Sequence, residues 1–322
     1  MIVLFDENFK ELGGVDIDID IEVGSSDSSN DFEFTTAALG FAPHGWYIEG
    51  TEYGGICEYS KGNNEVNYST LRGWCWRGLL TQSIITPPVG EDYKVVSGEA
   101  NTILSNMLSS VLGGFFTVPN VDSGLTISNY QFPLYINLLD GLEGMLETYG
   151  YRLSIYAQKP SGGQAVQVYV KAVESTLVEG SYNNDCRVPM TFENDNMGVN
   201  HLICGGQGEL QDRMKVDLYI DNQGNVSQTQ YYTGFEERTA FYDYASAESM
   251  EDLIVEGTKR LKELASHRTM HIKAPDDMKL EIGDIVKGVF PDGTVIQSPI
   301  VQKIHTITTG LEEVEYKVKG EN

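Results

Sequence analysis

Two histidines four positions apart, His267 and His271, are the first candidates for metal chemistry in this sequence. At that spacing two imidazoles can share one face of a helix and bind zinc, as in metalloproteases. The zinc motif also needs a glutamate directly after the first histidine as general base. Arg268 occupies that position. We therefore predict no metal site, and we expect His267 to be a helix-end cation and His271 a strand residue.

Paired carboxylates could instead provide a general acid and a general base, as in glycoside hydrolases. Glu52 with Glu58, and Glu143 with Glu147, are the pairs that the sequence offers for this role. A chain with 47 acidic residues contains such pairs by chance. No serine-nucleophile elbow and no Cys/His/Asn arrangement accompanies them. We predict no catalytic residues and no cofactor, and we expect that the protein is not an enzyme.

Residues 15–23 alternate strictly between aliphatic and acidic side chains. This period of two predicts a β-strand with one dry face and one acidic face. The acidic face contains Asp16, Asp18, Asp20 and Glu22. Calcium loops need turn glycines and backbone carbonyls rather than an extended strand, so the pattern does not predict a metal here. Four like charges suit an open outer surface or a wide aqueous lumen, and both placements stay open.

The elements around these residues indicate a β-rich α+β protein. Residues 1–72 contain several short alternating segments and a hairpin turn at 62–64, which predict a first small β-barrel or sandwich that later strands could complete. Residues 73–188 contain two amphipathic helices, at 100–112 and 134–149, followed by a hairpin. They predict a mixed α+β insert domain.

The last predicted domain, residues 189–322, returns to strands and contains one long helix at 246–267. Ser246 can cap this helix, while acidic residues near its start and basic residues near its end suit the helix dipole. The strands around the helix predict a second β-barrel unit.

The formal charge of −25 is the strongest bulk property of the chain. It excludes nucleic-acid binding by phosphate neutralisation, because that mode needs a basic surface. The same sign suits either plain solubility or the wall of a conduit along which DNA passes without sticking.

The four cysteines are predicted to be buried thiols in a reducing compartment, because they lack zinc spacing and lie in apolar or strand-like contexts. They are Cys57, Cys75, Cys186 and Cys204. The first residues do not resemble a secretory leader, and no segment approaches the ~20 apolar residues of a membrane span. We expect the protein to be made in the cytoplasm.

The most distinctive pattern is a pair of glycine-rich segments that contain two tryptophans and an arginine. The chain reads Gly-Thr-Glu-Tyr-Gly-Gly over 50–55, Gly-Trp-Cys-Trp-Arg-Gly-Leu-Leu over 73–80 and Ile-Ile-Thr-Pro-Pro over 84–88. No known chemistry requires these residues at this spacing, so we interpret the pattern as a structural joint. The members of the joint are Gly50, Thr51, Glu52, Gly54, Gly55, Gly73, Trp74, Trp76, Arg77 and Gly78.

This pattern resembles one found in tail-hub (baseplate-hub) proteins of bacteriophages and prophages of Gram-positive bacteria. Residues 93–101, 219–226 and 256–264 are also similar to that family, so the likeness extends over essentially the whole chain. One departure lies at residues 81–83, which read Thr-Gln-Ser where the family often has basic residues. A charged contact made by the family at that point is therefore not expected here.

The resemblance implies a structural hub that forms a homotrimeric ring at the distal end of the tail tube. Each subunit would carry two tube-type antiparallel β-barrel domains bracketing the α+β domain, so that three subunits adapt a sixfold tube to a threefold tip. The implied partners are other copies of the chain, the tail-tube or distal tail protein, and tail-tip or fibre proteins. DNA would pass through the ring without specific binding, and no membrane segment would be involved.

The hub would be located in the tail of the virion or of a phage-like particle, after assembly in the bacterial cytoplasm. The acidic residues of strand 15–23 are candidates to line its DNA channel. Two alternatives remain: a receptor- or glycan-binding tail module, suggested by 18 tyrosines and three tryptophans, and a tail-associated hydrolase.

Overall fold

The computed structural model of the protein describes residues 1–15, 18–25, 27–36, 43–63, 68–112, 115–163, 165–178, 190–222, 224–247, 249–274, 280–289, 293, 295–308 and 311–321. Within these ranges the chain forms many strands and four α-helices. The prediction of a β-rich protein is confirmed.

The first half of the chain contains β1 Ile2–Phe5, β2 Glu11–Val15, β3 Ile19–Gly24, β4 Asp31–Thr36, β5 Gly45–Tyr47, β6 Gly54–Asn63, β7 Tyr68–Cys75, α1 Trp76–Thr81, β8 Val95–Glu99, α2 Ala100–Leu112, β9 Phe116–Thr117, β10 Thr126–Gln131, α3 Leu138–Glu147, β11 Tyr151–Gln158 and β12 Gln167–Glu174. The second half contains β13 Met190–Asp195, β14 His201–Gly205, β15 Lys215–Ile220, β16 Val226–Ser227, β17 Thr239–Asp243, α4 Met250–Leu264, β18 His267–Ala274, β19 Ile285–Val289, β20 Val295–Thr308 and β21 Leu311–Glu321.

One large sheet combines strands from both ends of the chain, in the order β13-β18-β21-β20-β3-β4-β7-β6-β5-β1-β2, with β19 paired to β20. The two halves join where β20 pairs antiparallel with β3. The strands in the described ranges do not close into a barrel. The two tube-type barrels, and the domain boundaries at 72 and 188, therefore stay predictions.

Alternation along β3 and β4 gives this sheet its dry and wet faces. Ile19, Ile21 and Val23 are buried, whereas Asp20 between them is exposed. The dry face packs on an aromatic cluster in which Phe32 lies edge-on to Trp46, with ring centroids 5.2 Å apart. Burial of these aromatic and aliphatic side chains holds the sheet with its charged face outward.

The largest apolar core belongs to the middle of the chain, where α1, α2 and α3 pack with β8 to β12. The helix predicted over 100–112 is α2 and has the predicted bounds. The helix predicted over 134–149 is shorter, because the Asn137 side chain caps α3 by accepting a hydrogen bond from the Asp140 N–H. Tyr149, the last residue of the predicted span, lies beyond the end of α3 and is exposed.

Residues 199–265 form a smaller unit with its own core, in which α4 packs on the sheet β16-β15-β14-β17. The helix predicted over 246–267 begins later, because Ser249 rather than Ser246 caps it through the Asp252 N–H at 3.1 Å. It ends at Leu264, because the backbone is already extended at Ala265. His267 consequently lies in β18, so the prediction of a helix-end cation is wrong. His271 is a strand residue, as predicted, and its Nδ1 lies 3.0 Å from a Glu315 carboxylate oxygen.

Cys75 and Cys204 are buried, as predicted, and Cys57 is half-buried. Burial raises the pKa of the Cys57 thiol to about 12, which suppresses its reactivity. Cys186 lies outside the described residues. None of the helices in the described ranges has the length and apolar character needed to cross a membrane.

Candidate structural joint and acidic face

The two glycine-rich halves of the joint lie side by side, because β6 and β7 pair antiparallel. Gly55 is opposite Cys75, and Gly73 is opposite Cys57. A Cβ atom on Gly73 would lie 1.7 Å from the carbonyl oxygen of Ile56, so no larger residue fits without moving the neighbouring strand. The hairpin predicted around 62–64 is present in the pairing of β6 with β7, although Asn64 itself lies outside the described residues.

The loop before β6 fastens the large sheet to the middle of the chain. The Gly50 N–H donates to the Ala157 carbonyl at 2.9 Å, and the Ala157 N–H donates back to the Thr51 carbonyl at 2.9 Å. Gly50 adopts φ +73°, a left-handed conformation that favours glycine. The Thr51 hydroxyl donates to the Ile48 carbonyl at 2.9 Å and so closes the loop on itself.

Trp76 is the first residue of α1 and is 1% exposed. Its ring stacks on Phe5, with centroids 6.4 Å apart and an interplanar angle of 15°. The ring also lies against Gly54, where a Cβ atom would be 2.6 Å from it. Trp74 is only half-buried. Gly78 follows in the same helix, and its Cβ position is only 2.3 Å from the Asn30 carbonyl oxygen.

A buried ion network lies at the centre of the joint and consists of Glu52, Arg77, Glu143, Glu281 and Lys303. Glu52 joins two cations: its Oε2 accepts from Arg77 Nε at 3.1 Å, and its Oε1 accepts from Lys303 Nζ at 2.8 Å. The side chains of these three residues are each at most 5% exposed. Because each carboxylate oxygen of Glu52 has a cationic donor, the charge is compensated although water is excluded.

The outer contacts of the network reach other parts of the fold. Arg77 donates to the carbonyl of Leu153 on β11 at 3.0 Å and forms an ion pair with Glu143 on α3. Lys303, on β20, also donates to Glu281 at 2.9 Å. The network therefore connects the loop after β5, helix α1, the middle of the chain and the C-terminal strands.

The pKa values follow from this arrangement. Burial alone would raise the pKa of Glu52, but the charges of Lys303 and Arg77 prevail and lower it to about 2. Glu143 shares Arg77 with Glu52, so burial raises the pKa of Glu143 to about 7 in spite of this cation, and Asp140 adds to the increase. Burial would lower the pKa of Lys303, but Glu52 and its other neighbours raise it above its usual value.

A groove of about 470 Å³ lies beside Glu143, between α3 and β11 on one side and the C-terminal strands on the other. Two further ion pairs cross between these parts: Arg152 Nε lies 2.9 Å from Asp284 Oδ1, and Lys319 Nζ lies 3.2 Å from Glu147 Oε1. The middle of the chain is thus attached to the C-terminal strands by these ion pairs and by backbone hydrogen bonds between residues 176–178 and Ile285.

The carboxylates named as hydrolase candidates are not arranged as an acid and a base. Glu52 is buried and fully engaged by two cations, whereas Glu58 is exposed. Glu143 is bound to Arg77, and Glu147 contacts Lys319. Among the described residues, no group of three His, Cys, Asp or Glu side chains is placed to hold a metal ion.

Sequence reasoning placed Glu52 and Arg77 in the joint but missed Lys303, Glu281 and the role of Glu143. Lys303 lies in a strand that mixes apolar residues such as Ile300 with polar ones such as Gln302, so its neighbours do not mark it as buried. A lysine that is buried has a partner of opposite charge. The identity of that partner could not be read from the pattern, since Glu52 is 251 positions away.

The candidate acidic face lies on the wet side of the large sheet. Asp18 and Asp20 are exposed and Glu22 is half-buried, while Asp16 lies outside the described residues. Glu22 accepts hydrogen bonds from the Ser29 N–H at 2.8 Å and from the Gln302 amide at 2.6 Å. These bonds fix its carboxylate against the sheet surface.

Neighbouring strands make this face mixed rather than purely acidic. Glu33 lies opposite Asp20 and forms an ion pair with Arg72 on β7. Further along the sheet, Lys273 Nζ contacts Glu313 at 2.6 Å. From β18 to β7 this face is charged and solvated, with an excess of carboxylates around β3, whereas β5 and β1 are buried on both faces.

The pKa of Glu143 gives a testable pH dependence. Its folded value near 7 exceeds its ordinary value of 4.5, so the folded chain holds a proton that the unfolded chain releases. The contribution of this residue to stability is therefore complete below pH 4.5 and is lost as the pH rises through about 7. We expect the Glu143→Gln variant to lose this decline, as measured by urea unfolding at several pH values from 5 to 8.

The matched control for this measurement is Glu174→Gln, which neutralises an exposed carboxylate. Glu52 affects stability in a different pH range, because its pKa is lowered. Its contribution to the free energy of unfolding is lost only as the pH falls below 4.5 toward 2. An unchanged decline between pH 5 and 7 in Glu143→Gln would contradict the assignment.

The likeness of this protein to known structures extends over the whole chain and is not confined to the joint. No protein-family model matches the sequence, and no curated protein matches it. Among solved structures, the chain is similar to the 43 kDa tail protein of prophage MuSo2 from Shewanella oneidensis. That likeness covers 99% of this chain and 98% of the other, with 14% identity and a TM-score of 0.55.

A second similar structure is the tail protein from Neisseria meningitidis MC58, with 12% identity, coverage of 100% and 96%, and a TM-score of 0.50. The prophage tail protein gp18 from Listeria monocytogenes EGD-e has 14% identity, coverage of 100% and 94%, and a TM-score of 0.47. The resemblance to tail proteins is confirmed at the level of the fold, while the restriction to Gram-positive bacteria stays a prediction. The chain has, over its full length, the fold of phage tail proteins.

Proposed function

We propose that this chain is a structural hub of a phage or phage-like tail, forming a homotrimeric ring at the distal end of the tail tube. The observation that carries the proposal is the part of the large sheet from β18 to β7, which has one apolar face and one charged face. Three such sheets arranged around an axis, with their charged faces inward, would enclose an aqueous channel. The fold shared with tail proteins supports the same role.

In this proposal residues 1–72 and 189–322 provide two tube-type units per subunit, and residues 73–188 form the α+β domain between them. Three subunits then supply six units, which matches a sixfold tube on one side and a threefold tip on the other. The neighbours are the tail-tube or distal tail protein and tail-tip or fibre proteins, in a virion tail assembled in the cytoplasm. The buried ion network keeps the parts of each subunit in a fixed relative position.

The two alternatives have less support. A glycan-binding module would use exposed tryptophans for stacking, but Trp46 and Trp76 are buried and Trp74 is half-buried. A hydrolase would need an accessible pair of carboxylates, whereas Glu52 and Glu143 are held by cations. The role we propose is structural rather than catalytic.

Light scattering on the purified protein, followed by negative-stain imaging, tests the ring. A mass of three chains and a threefold ring with a central hole are expected. A strictly monomeric protein at high concentration that is also absent from purified tail particles would overturn the proposal. Monomers in solution together with three copies in the particle would mean that the ring forms only on the tail.

The acidic face gives a functional prediction. Changing Asp16, Asp18 and Asp20 together to asparagine should leave the melting temperature nearly unchanged, because the two described members are exposed. If these residues line the channel, particles with the triple variant should assemble but deliver DNA less efficiently, since a wall with fewer carboxylates repels phosphates less. Infectivity per assembled particle is the measurement.

The control changes two exposed carboxylates elsewhere, Glu7→Gln and Glu209→Gln. Equal infectivity of the triple variant, the control and the unmodified chain would place the acidic face of β3 on the outer surface of the ring.

A further inference from the structure

Two neighbouring loops in the α+β part of the chain expose several apolar side chains. They are residues 86–93, between α1 and β8, and residues 133–135, before α3. We name them the apolar loops. The exposed fractions in and directly beside them are 106% for Val89, 68% for Tyr135, 49% for Val95, 47% for Ile84, 47% for Leu134 and 41% for Tyr93.

The apolar loops lie beside each other because backbone hydrogen bonds join their ends. On one side the Ile85 N–H donates to the Ile136 carbonyl at 2.8 Å. On the other side the Phe132 N–H donates to the Lys94 carbonyl at 2.9 Å. Ile85 and Phe132 are also buried in the core, so the loops project from a fixed base.

Each loop is held in a defined conformation at its tip. The Glu91 N–H donates to the Pro88 carbonyl at 3.0 Å, and Gly90 adopts φ +88°. The result is a tight turn that carries Val89 at a central position, preceded by two prolines that stiffen it. Val89 is thus presented to solvent by a rigid turn rather than by a loose loop.

Tyr135 is strained, which strengthens the case for a function. It adopts φ +57°, a left-handed conformation that is uncommon for a bulky residue. Glycine or asparagine would serve the turn better if folding were the only requirement. Most of the tyrosine side chain is exposed, so contacts within the described chain do not account for a tyrosine at this position.

Charge identifies the kind of partner. Glu91 and Asp92 are exposed at the tip of the first loop, directly beside Val89. With 22 basic against 47 acidic residues, the surface of a second copy offers acidic side chains more often than the basic ones that would pair with Glu91 and Asp92. A surface that combines an apolar centre with lysine or arginine at its edge complements both properties.

We propose that the apolar loops are a docking surface for a different protein of the tail, one that presents an apolar pocket bordered by basic side chains. Val89 and Tyr135 enter the pocket, and Glu91 and Asp92 face the basic border. This proposal rests on the proposed role of the chain in a tail, and it adds a specific contact that the hub role does not require at this position.

Thiol labelling tests whether the loops are covered in the tail. Val89→Cys and Tyr135→Cys are introduced separately into the full chain, and a maleimide reagent is applied to the free protein and to purified particles. We expect labelling at least about tenfold slower in the particle, because well-packed contacts exclude water. Val255→Cys on α4, at a position that is 64% exposed, is the control, and the rate of the unmodified chain is subtracted.

Equal labelling of the loop variants in free protein and particle would overturn the docking proposal while leaving the hub role intact. Absence of the chain from purified particles would overturn the hub role, and the docking proposal with it. A crosslinker attached to the Val89→Cys thiol should join this chain to a different protein. The crosslinked site on that protein should lie close to a lysine or an arginine. A crosslink to another copy of this chain would overturn the proposal.

Charge reversal gives an independent readout. The double change of Glu91→Lys and Asp92→Lys should reduce the amount of partner retained in the particle at least about tenfold, because like charges across an interface are strongly disfavoured. The matched control reverses two exposed carboxylates of the smaller unit, Glu209→Lys and Asp212→Lys. Equal retention of the partner by both double variants would contradict the predicted basic border.

Discussion

Replacing Arg77 with alanine is expected to lower the free energy of unfolding by about 3–5 kcal/mol. The side chain is 2% exposed and has polar contacts with Glu52, Glu143 and the Leu153 carbonyl. Without it, Glu52 keeps its contact with Lys303 alone among the described residues, and Glu143 loses its ion pair. Chemical unfolding followed by circular dichroism is the measurement.

The control for this prediction is another arginine–glutamate pair. Arg72 and Glu33 form an ion pair on the wet face of the sheet, with side chains 58% and 49% exposed. Because water and salt screen an exposed pair, Arg72→Ala should change the free energy of unfolding by less than about 1 kcal/mol. Similar small effects of both substitutions would mean that the buried ion network contributes little to stability.

A double-mutant cycle separates the pair from its surroundings. Glu52→Gln and Arg77→Ala are measured singly and together, and the coupling free energy is the departure from additivity. We expect strong coupling, since the two side chains share a hydrogen bond in a site from which water is excluded. Additive effects would place the two residues in independent environments and contradict the 3.1 Å contact between them.

Replacing Trp76 with alanine is expected to cost about 3–5 kcal/mol, the usual range for removing a large aromatic ring from a core. Trp76 is 1% exposed and packs against Phe5 and Phe115. The cavity would open where α1 leaves β7, in the joint itself. The midpoint of chemical unfolding should fall accordingly.

Two further variants separate the contributions of the tryptophan ring and of its indole N–H to stability. The indole N–H of Trp76 has no hydrogen-bond partner within the described part of the chain. Trp76→Phe should therefore cost clearly less than Trp76→Ala, because ring stacking is retained and no hydrogen bond is lost. Trp74→Ala removes a half-buried ring and should also cost less. An unchanged unfolding midpoint for Trp76→Ala would contradict its placement in the core.

Features set by near neighbours in the sequence were predictable. The apolar stripe of residues 100–112 gave α2 with its observed bounds, and alternation around Ile19 and Ile21 gave the two faces of β3. The glycines of the joint were also recognisable, since close approach of backbones excludes side chains at those positions.

Helix ends were less predictable, because several residues compete to cap each one. Ser246 and Ser249 are both good caps, and Ser249 is the one that caps α4. At the other end the backbone is already extended at Ala265, so His267 lies in β18. Similarly, Asn137 rather than an earlier residue begins α3.

The sequence by itself determined the β-rich class, the acidic strand and the two glycine-rich segments, because periodicity and backbone sterics act over a few residues. Only the tertiary structure decided that β20 lies beside β3, which brings Lys303 to Glu52 across 251 positions. It also decided that loops 86–93 and 133–135 project together. Such contacts depend on which strands and loops pack together, and many pairings of similar apolar segments satisfy the same local pattern.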